Sequence, residues 1–98
     1  MTVAISYQEI GNKIVSILKK HNVLKIGIFG SYARGEATPT SDIDVLVEFA
    51  TRKTLLDMVG IEQELTEELG IKVDLLTEKA ISPYLVDSIK KELMVIYG

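Results

Sequence analysis

The stretch SDIDVLVEF, residues 41–49, constrains the chain more than any other. Residues 43–49 are rich in β-branched and apolar side chains and read as a strand. That strand should be apolar throughout, yet it opens on two aspartates, Asp42 and Asp44. Successive strand side chains alternate between faces, so the two carboxylates point the same way. At ~3.3 Å of rise per residue their Cα atoms stand roughly 6.5 Å apart. Carboxylates that close repel each other unless a positive charge lies between them. Water at a sheet edge relieves part of the repulsion, and a divalent cation relieves more.

The rest of the chain alternates helix and strand. Ser6 and Glu9 fit a capping box, and Ile10, Ile14 and Leu18 recur at helical spacing, so residues 7–21 read as an amphipathic helix. Lys19, Lys20 and His21 suit its C-terminal end, where Asn22 can close the turn. Residues 25–29, KIGIF, read as a strand ending at Gly30, residues 31–34 as one helical turn, and residues 35–41 as a loop. Leu55, Leu56, Met58, Val59, Leu65 and Leu69 mark a long helix stopped by Gly70. Residues 71–76, IKVDLL, alternate like a strand. Ser82 and Pro83 cap a helix running to about Lys91. Residues 93–97, LMVIY, favour a last strand over a continued helix. The pattern gives fold class α/β or α+β, one small sheet with helices packed on it.

Composition narrows the field. At 98 residues the chain makes a single domain, residues 1–98, and 47% hydrophobic content suffices for a core. No apolar run is long enough to cross a bilayer, and the opening MTVAISYQEIGNKI lacks the layout of a signal peptide. Cysteine is absent, which excludes disulfides and thiolate metal sites and makes a cytoplasmic location the default expectation. Eleven basic against fourteen acidic residues, net −3, argue against direct nucleic-acid binding.

Asp74 repeats the oddity of the aspartate pair. Ile71, Val73 and Leu75 share one strand face, and Asp74 lies on the other, where a lone buried charge is costly. If this strand neighbours residues 43–49, Asp42, Asp44 and Asp74 form an all-oxygen ligand set, which suits Mg²⁺ or Mn²⁺ rather than zinc. Gly30 and Ser31 follow a strand and open a turn whose amide N–H groups make an anion site. Glycine lets a phosphate approach the backbone, the Ser31 hydroxyl adds a donor, and Arg34 stands open between a phosphate contact and a surface charge. Each feature alone is commonplace: an Asp-x-Asp pair is usually solvated, and an acid on an outward strand face is usually surface. Their joint order, strand, Gly-Ser, ten residues, Asp-x-Asp, later Asp, points to a nucleoside triphosphate with its magnesium ions. His21 reads as a helix-end residue, and Glu62, Glu64, Glu67 and Glu68 as a solvated helix face.

Gly30-Ser31, ten residues, then Asp42-Ile43-Asp44 resembles the signature of the DNA polymerase beta-like nucleotidyltransferase superfamily. The chain as a whole resembles its minimal members, the minimal nucleotidyltransferase (MNT) proteins, with KVDLLT similar to the strand of their third carboxylate. The resemblance implies a mixed sheet of about four strands flanked by helices. It implies that Asp42 and Asp44 hold two Mg²⁺ ions (or Mn²⁺), that Asp74 joins one ion and helps deprotonate the attacking hydroxyl, and that Gly30 and Ser31 hold the triphosphate of ATP.

The resemblance further implies an antitoxin that transfers AMP from ATP to a tyrosine of a HEPN-domain ribonuclease toxin, because the catalytic core leaves no residues for an acceptor domain. Two alternatives stand beside this reading. One is a binding module that silences its partner by masking it. The other is a small-molecule, antibiotic-type nucleotidyltransferase completed by a partner chain. Assembly stays open between a homo-oligomer and a hetero-oligomer with the toxin.

Overall fold

The computed structural model describes residues 7–38 and 40–98. Helix α1 spans Tyr7–Lys19, followed by strands β1, Val23–Phe29, and β2, Ile43–Phe49. Helix α2 spans Leu55–Leu69 and strand β3 Val73–Leu76. A short 3₁₀ turn at Glu78–Ala80 leads to helix α3, Pro83–Glu92, and strand β4, Met94–Tyr97. Ser6, the expected cap of α1, lies outside the described residues.

The four strands form one sheet in the order β3-β2-β1-β4. β1 runs antiparallel to both β2 and β4, whereas β2 and β3 are parallel, so the sheet is mixed. A parallel pair needs a crossover, and α2 supplies it between β2 and β3. Among the described residues no helix is long and apolar enough to cross a membrane.

One face of the sheet is closed. Ile43, Val45 and Val47 of β2 point into a core with Ile26 and Ile28 of β1 and Val73 and Leu75 of β3. Helix α1 adds Ile10, Ile14, Ile17 and Leu18, and α2 adds Ile61, Leu65 and Leu69. These recur every three or four residues, which puts each set on one helical stripe. Full burial of one such side chain contributes about 1.5–3 kcal/mol.

Several boundaries shift from the sequence reading. Helix α1 ends at Lys19, and the chain tightens into i→i−3 bonds from Lys20 N–H to the Ile17 carbonyl (3.2 Å) and from His21 N–H to Leu18 (2.9 Å). Asn22 then closes the turn at φ 61°. β1 starts at Val23, recruited by pairing with Phe49 across a bulge. β3 starts at Val73 rather than at residue 71.

Residues 31–34 make the single turn expected and go no further. Arg34 N–H reaches the Gly30 carbonyl (3.1 Å), and Glu36 N–H then bonds back to Ser31 (2.9 Å) while Gly35 N–H bonds back to Tyr32 (3.4 Å). That pair of bonds, with Gly35 left-handed at φ 70°, is the Schellman closure that stops a helix after one cycle.

Helix α2 carries a capping box absent from the sequence reading: Thr54 Oγ1 accepts from Asp57 N–H (3.1 Å), and Asp57 Oδ2 accepts from Thr54 N–H (2.9 Å). Gly70 ends it as expected. Ser82 and Pro83 start α3 as expected.

The second face is open by comparison. Leu93 crosses it so closely over Gly27 that a Cβ there would stand 2.6 Å from Leu93 Cδ1. Helix α3, just before it, buries none of its residues, and Tyr84 and Leu85 are exposed.

Candidate active site

The open face carries the acids. Asp44 is the second residue of β2 and sits opposite Phe29 of β1 on one side and Asp74 of β3 on the other. The parallel register of β2 and β3 therefore sets Asp44 and Asp74 side by side, thirty positions apart in sequence (74 − 44). Asp42 immediately precedes β2. Its loop is shaped by Thr38 N–H donating to Ser41 Oγ (2.8 Å) and by Ser41 N–H donating to the Thr38 carbonyl (3.0 Å). Ile43 N–H donates to the Lys72 carbonyl (2.9 Å), which straps the start of β2 to the approach to β3. Lys72 Nζ stands 3.9 Å from Asp42 Oδ2, a solvated pair worth little.

Gly30 closes over Asp44. Its φ of 77° lies in the left-handed region, and a Cβ there would strike the Asp44 carboxylate. Both backbone conformation and space require glycine at this position. Tyr32, two residues on, is buried in the core cluster and meets Tyr7 edge-on at 5.7 Å, which anchors the turn that carries Ser31.

The electrostatics of Asp44 reflect its crowding. Burial raises its pKa first, then the neighbouring charges of Asp74, Asp42 and Glu92, while Arg34 opposes them. A carboxylate in that position favours an added positive charge.

The donor chemistry, all carboxylate oxygen, fits a hard divalent cation. As the side chains lie, no group of three His, Cys, Asp or Glu among the described residues stands close enough to hold an ion. The backbone register sets Asp44 and Asp74 side by side, and the Asp44 carboxyl feels the charges of both Asp74 and Asp42.

Sequence reasoning missed Glu92. The last residue of α3 sends Oε1 to accept from Gly30 N–H (2.9 Å) and Oε2 to accept from Arg34 Nη1 (3.0 Å). The Gly30 N–H and then Arg34 hold its pKa below the usual glutamate value. Arg34 Nε donates to Glu36 Oε1 (2.9 Å), so this guanidinium is gripped by two carboxylates rather than left free. A local signal was present: an acid at a helix C-terminus opposes the helix dipole and needs a reason to be there. A surface depression lined by His21, Lys53, Asp57 and Glu64 shares no residue with this site.

Comparison with known proteins gives a consistent result. Residues 12–96 match the nucleotidyltransferase domain family. A Methanocaldococcus jannaschii protein bearing the name "Putative protein adenylyltransferase" is 55% identical over 84 residues, covering 86% of this chain and 90% of that one. Among solved structures, a toxin-antitoxin with AMP-PNP superposes with a TM-score of 0.82 at 28% identity, covering 90% of this chain and 73% of that one. A tri-AMPylated Shewanella oneidensis HEPN toxin in complex with MNT antitoxin gives a TM-score of 0.76 at 26% identity, covering 93% and 71%. With the family matched over most of its length and its glycine-serine turn set against Asp44 of β2, the chain belongs to the nucleotidyltransferase domain family.

Proposed function

We propose that the chain is a protein adenylyltransferase that moves AMP from ATP onto a tyrosine hydroxyl of a HEPN-domain toxin, releasing diphosphate and silencing the toxin. The observation that carries this reading is the side-by-side placement of Asp44 and Asp74, with Gly30 closing over Asp44 and Asp42 just before β2. The similarity to an adenylyltransferase-named relative and to an AMPylated toxin complex supports the choice of acceptor.

In this reading Asp42, Asp44 and Asp74 would hold two Mg²⁺ ions, which supply charge to offset the negative oxygens of the triphosphate and the attacking group. Gly30 N–H and the Ser31 hydroxyl donate to phosphate oxygens and fix the chain in line for displacement at the α-phosphorus. Asp74 accepts the proton of the incoming tyrosine hydroxyl as the O–P bond forms and the bond to diphosphate breaks. Burial of Phe29 and Ile43 on either side of the acids keeps the strand ends rigid beneath the reacting groups.

The test is intact-mass spectrometry of a HEPN partner after incubation with the chain, ATP and Mg²⁺. A gain of one or more AMP units, lost with Asp42→Asn and Asp44→Asn together, is expected. An unmodified partner with both proteins folded contradicts the reading. Partner silencing that survives the double substitution would instead indicate masking.

A further inference from the structure

We propose that Glu92 is a built-in stand-in for phosphate: its carboxylate occupies the Gly30 N–H and Arg34 donors that a polyphosphate needs, and a nucleotide binds by displacing it and releasing α3.

The donors themselves make the case. The N–H of left-handed Gly30 and the Arg34 guanidinium four residues on form a small anion site, and one carboxylate takes Gly30 N–H and Arg34 Nη1, at 2.9 and 3.0 Å, while Arg34 Nε stays with Glu36. A phosphate oxygen makes the same charge-assisted bonds with more negative charge. Two anions do not share one N–H, so ligand and Glu92 exclude each other.

Displacement is easy for three reasons. Glu92 sits at the C-terminal end of α3, where the helix dipole disfavours an anion once its partners are taken. It also faces the like charge of Asp44, whose carboxylate feels it. Finally, α3 buries none of its own residues, so little packing resists its movement. Besides this clamp, α3 carries an exposed Lys90–Glu78 pair at 2.7 Å and half-buried Val86 and Ile89, and the chain just after it is held by Leu93 over Gly27 and by β4 in the sheet. Filling the anion site thus loosens the helix that displays Tyr84 and Leu85 to solvent. Nucleotide occupancy is thereby written onto an outer surface of the molecule.

This inference deepens the nucleotide-binding reading, and its test is independent of transfer. Affinity for inorganic pyrophosphate, without divalent metal, is measured by calorimetry for wild type and Glu92→Gln. The substitution keeps the shape and removes the charge, and about tenfold tighter binding is expected, the scale of one charge-assisted hydrogen bond. Equal or weaker binding by Glu92→Gln, or no binding by either protein, overturns the proposal.

A second measurement needs no variant. Hydrogen exchange of residues 83–92 in the wild type should accelerate when pyrophosphate is added, and unchanged or slower exchange overturns the release of α3. Tighter pyrophosphate binding by Glu92→Gln without AMP transfer to any partner leaves this inference standing and removes the proposed function. Transfer with equal pyrophosphate affinity does the reverse.

Discussion

The two faces of strand β2 follow different rules. On one face Ile43, Val45 and Val47 are 0%, 0% and 3% exposed and lie under α1 and α2. On the other, Asp44, Leu46 and Glu48 keep contact with solvent, and the helix on that side, α3, buries nothing. The first face satisfies packing alone. The second leaves a strand end accessible, collects carboxylates there and ties the end of α3 to the Gly30 turn through Glu92. A period of two along a single strand is enough to keep the fold's stability and its chemistry on separate sides.

The largest expected effect breaks the open face and spares the closed one. Asp44→Asn should lower AMP transfer on the order of 10³-fold, the scale of removing a central electrostatic group. Its thermal midpoint at neutral pH should equal or exceed that of wild type, because burial and three neighbouring carboxylates disfavour the Asp44 charge. Loss of folding together with activity would tie the two faces more closely than this account allows.

The converse experiment targets the closed face. Leu65→Ala, at a fully buried position, should cost about 2–5 kcal/mol in urea unfolding. Leu85→Ala, on exposed α3, should cost less than about 0.5 kcal/mol. Similar losses at both positions would mean that α3 is packed more firmly than its exposure indicates.

Gly30→Ala tests the seam between the faces. A strained φ and a Cβ pressed against Asp44 should cost roughly 1–3 kcal/mol and weaken nucleotide binding in the same protein. Wild-type stability in that variant would show that the turn can relax away from Asp44.

Another small effect lies on the helical side. His21 first and Lys20 second hold the Glu64 carboxyl below its usual value. A lowered folded-state pKa contributes stability that is present above the unfolded value of about 4.5 and is lost as pH falls through the folded one. Glu64→Gln should therefore flatten the acid limb of the stability curve below about pH 4.5, by under about 1 kcal/mol for so exposed a pair. An unchanged acid limb would show that the pair contributes nothing to folding.

Much of this was legible in the sequence because it was local. β2 runs over residues 43–49 as read, since its β-branched residues and alternating burial agree. Helix α2 ends at Gly70 because only the cap position takes a left-handed residue easily. What escaped was tertiary. Val23 joined β1 only because Phe49 was there to pair with it. The way Gly35 closes the turn after Gly30, through Ser31 and Tyr32, was likewise not in the pattern.

The aspartates were visible as a pattern, but their adjacency to Asp74 depended on a parallel register that no local pattern encodes. Glu92 meets Gly30 across sixty-two positions, and only its awkward place at a helix end hinted at a partner. The Thr54–Asp57 box was readable from its spacing and went unread.

The central claim is that Asp42, Asp44 and Asp74, rather than the acidic outer face of α2, form the divalent-ion site. Paramagnetic line broadening by Mn²⁺ in the presence of AMP-PNP tests it residue by residue. The account predicts that the amides of Gly30, Asp44 and Asp74 broaden first and that Asp44→Asn removes the effect. Broadening centred on Glu67 and Glu68, or left intact by Asp44→Asn, would contradict it.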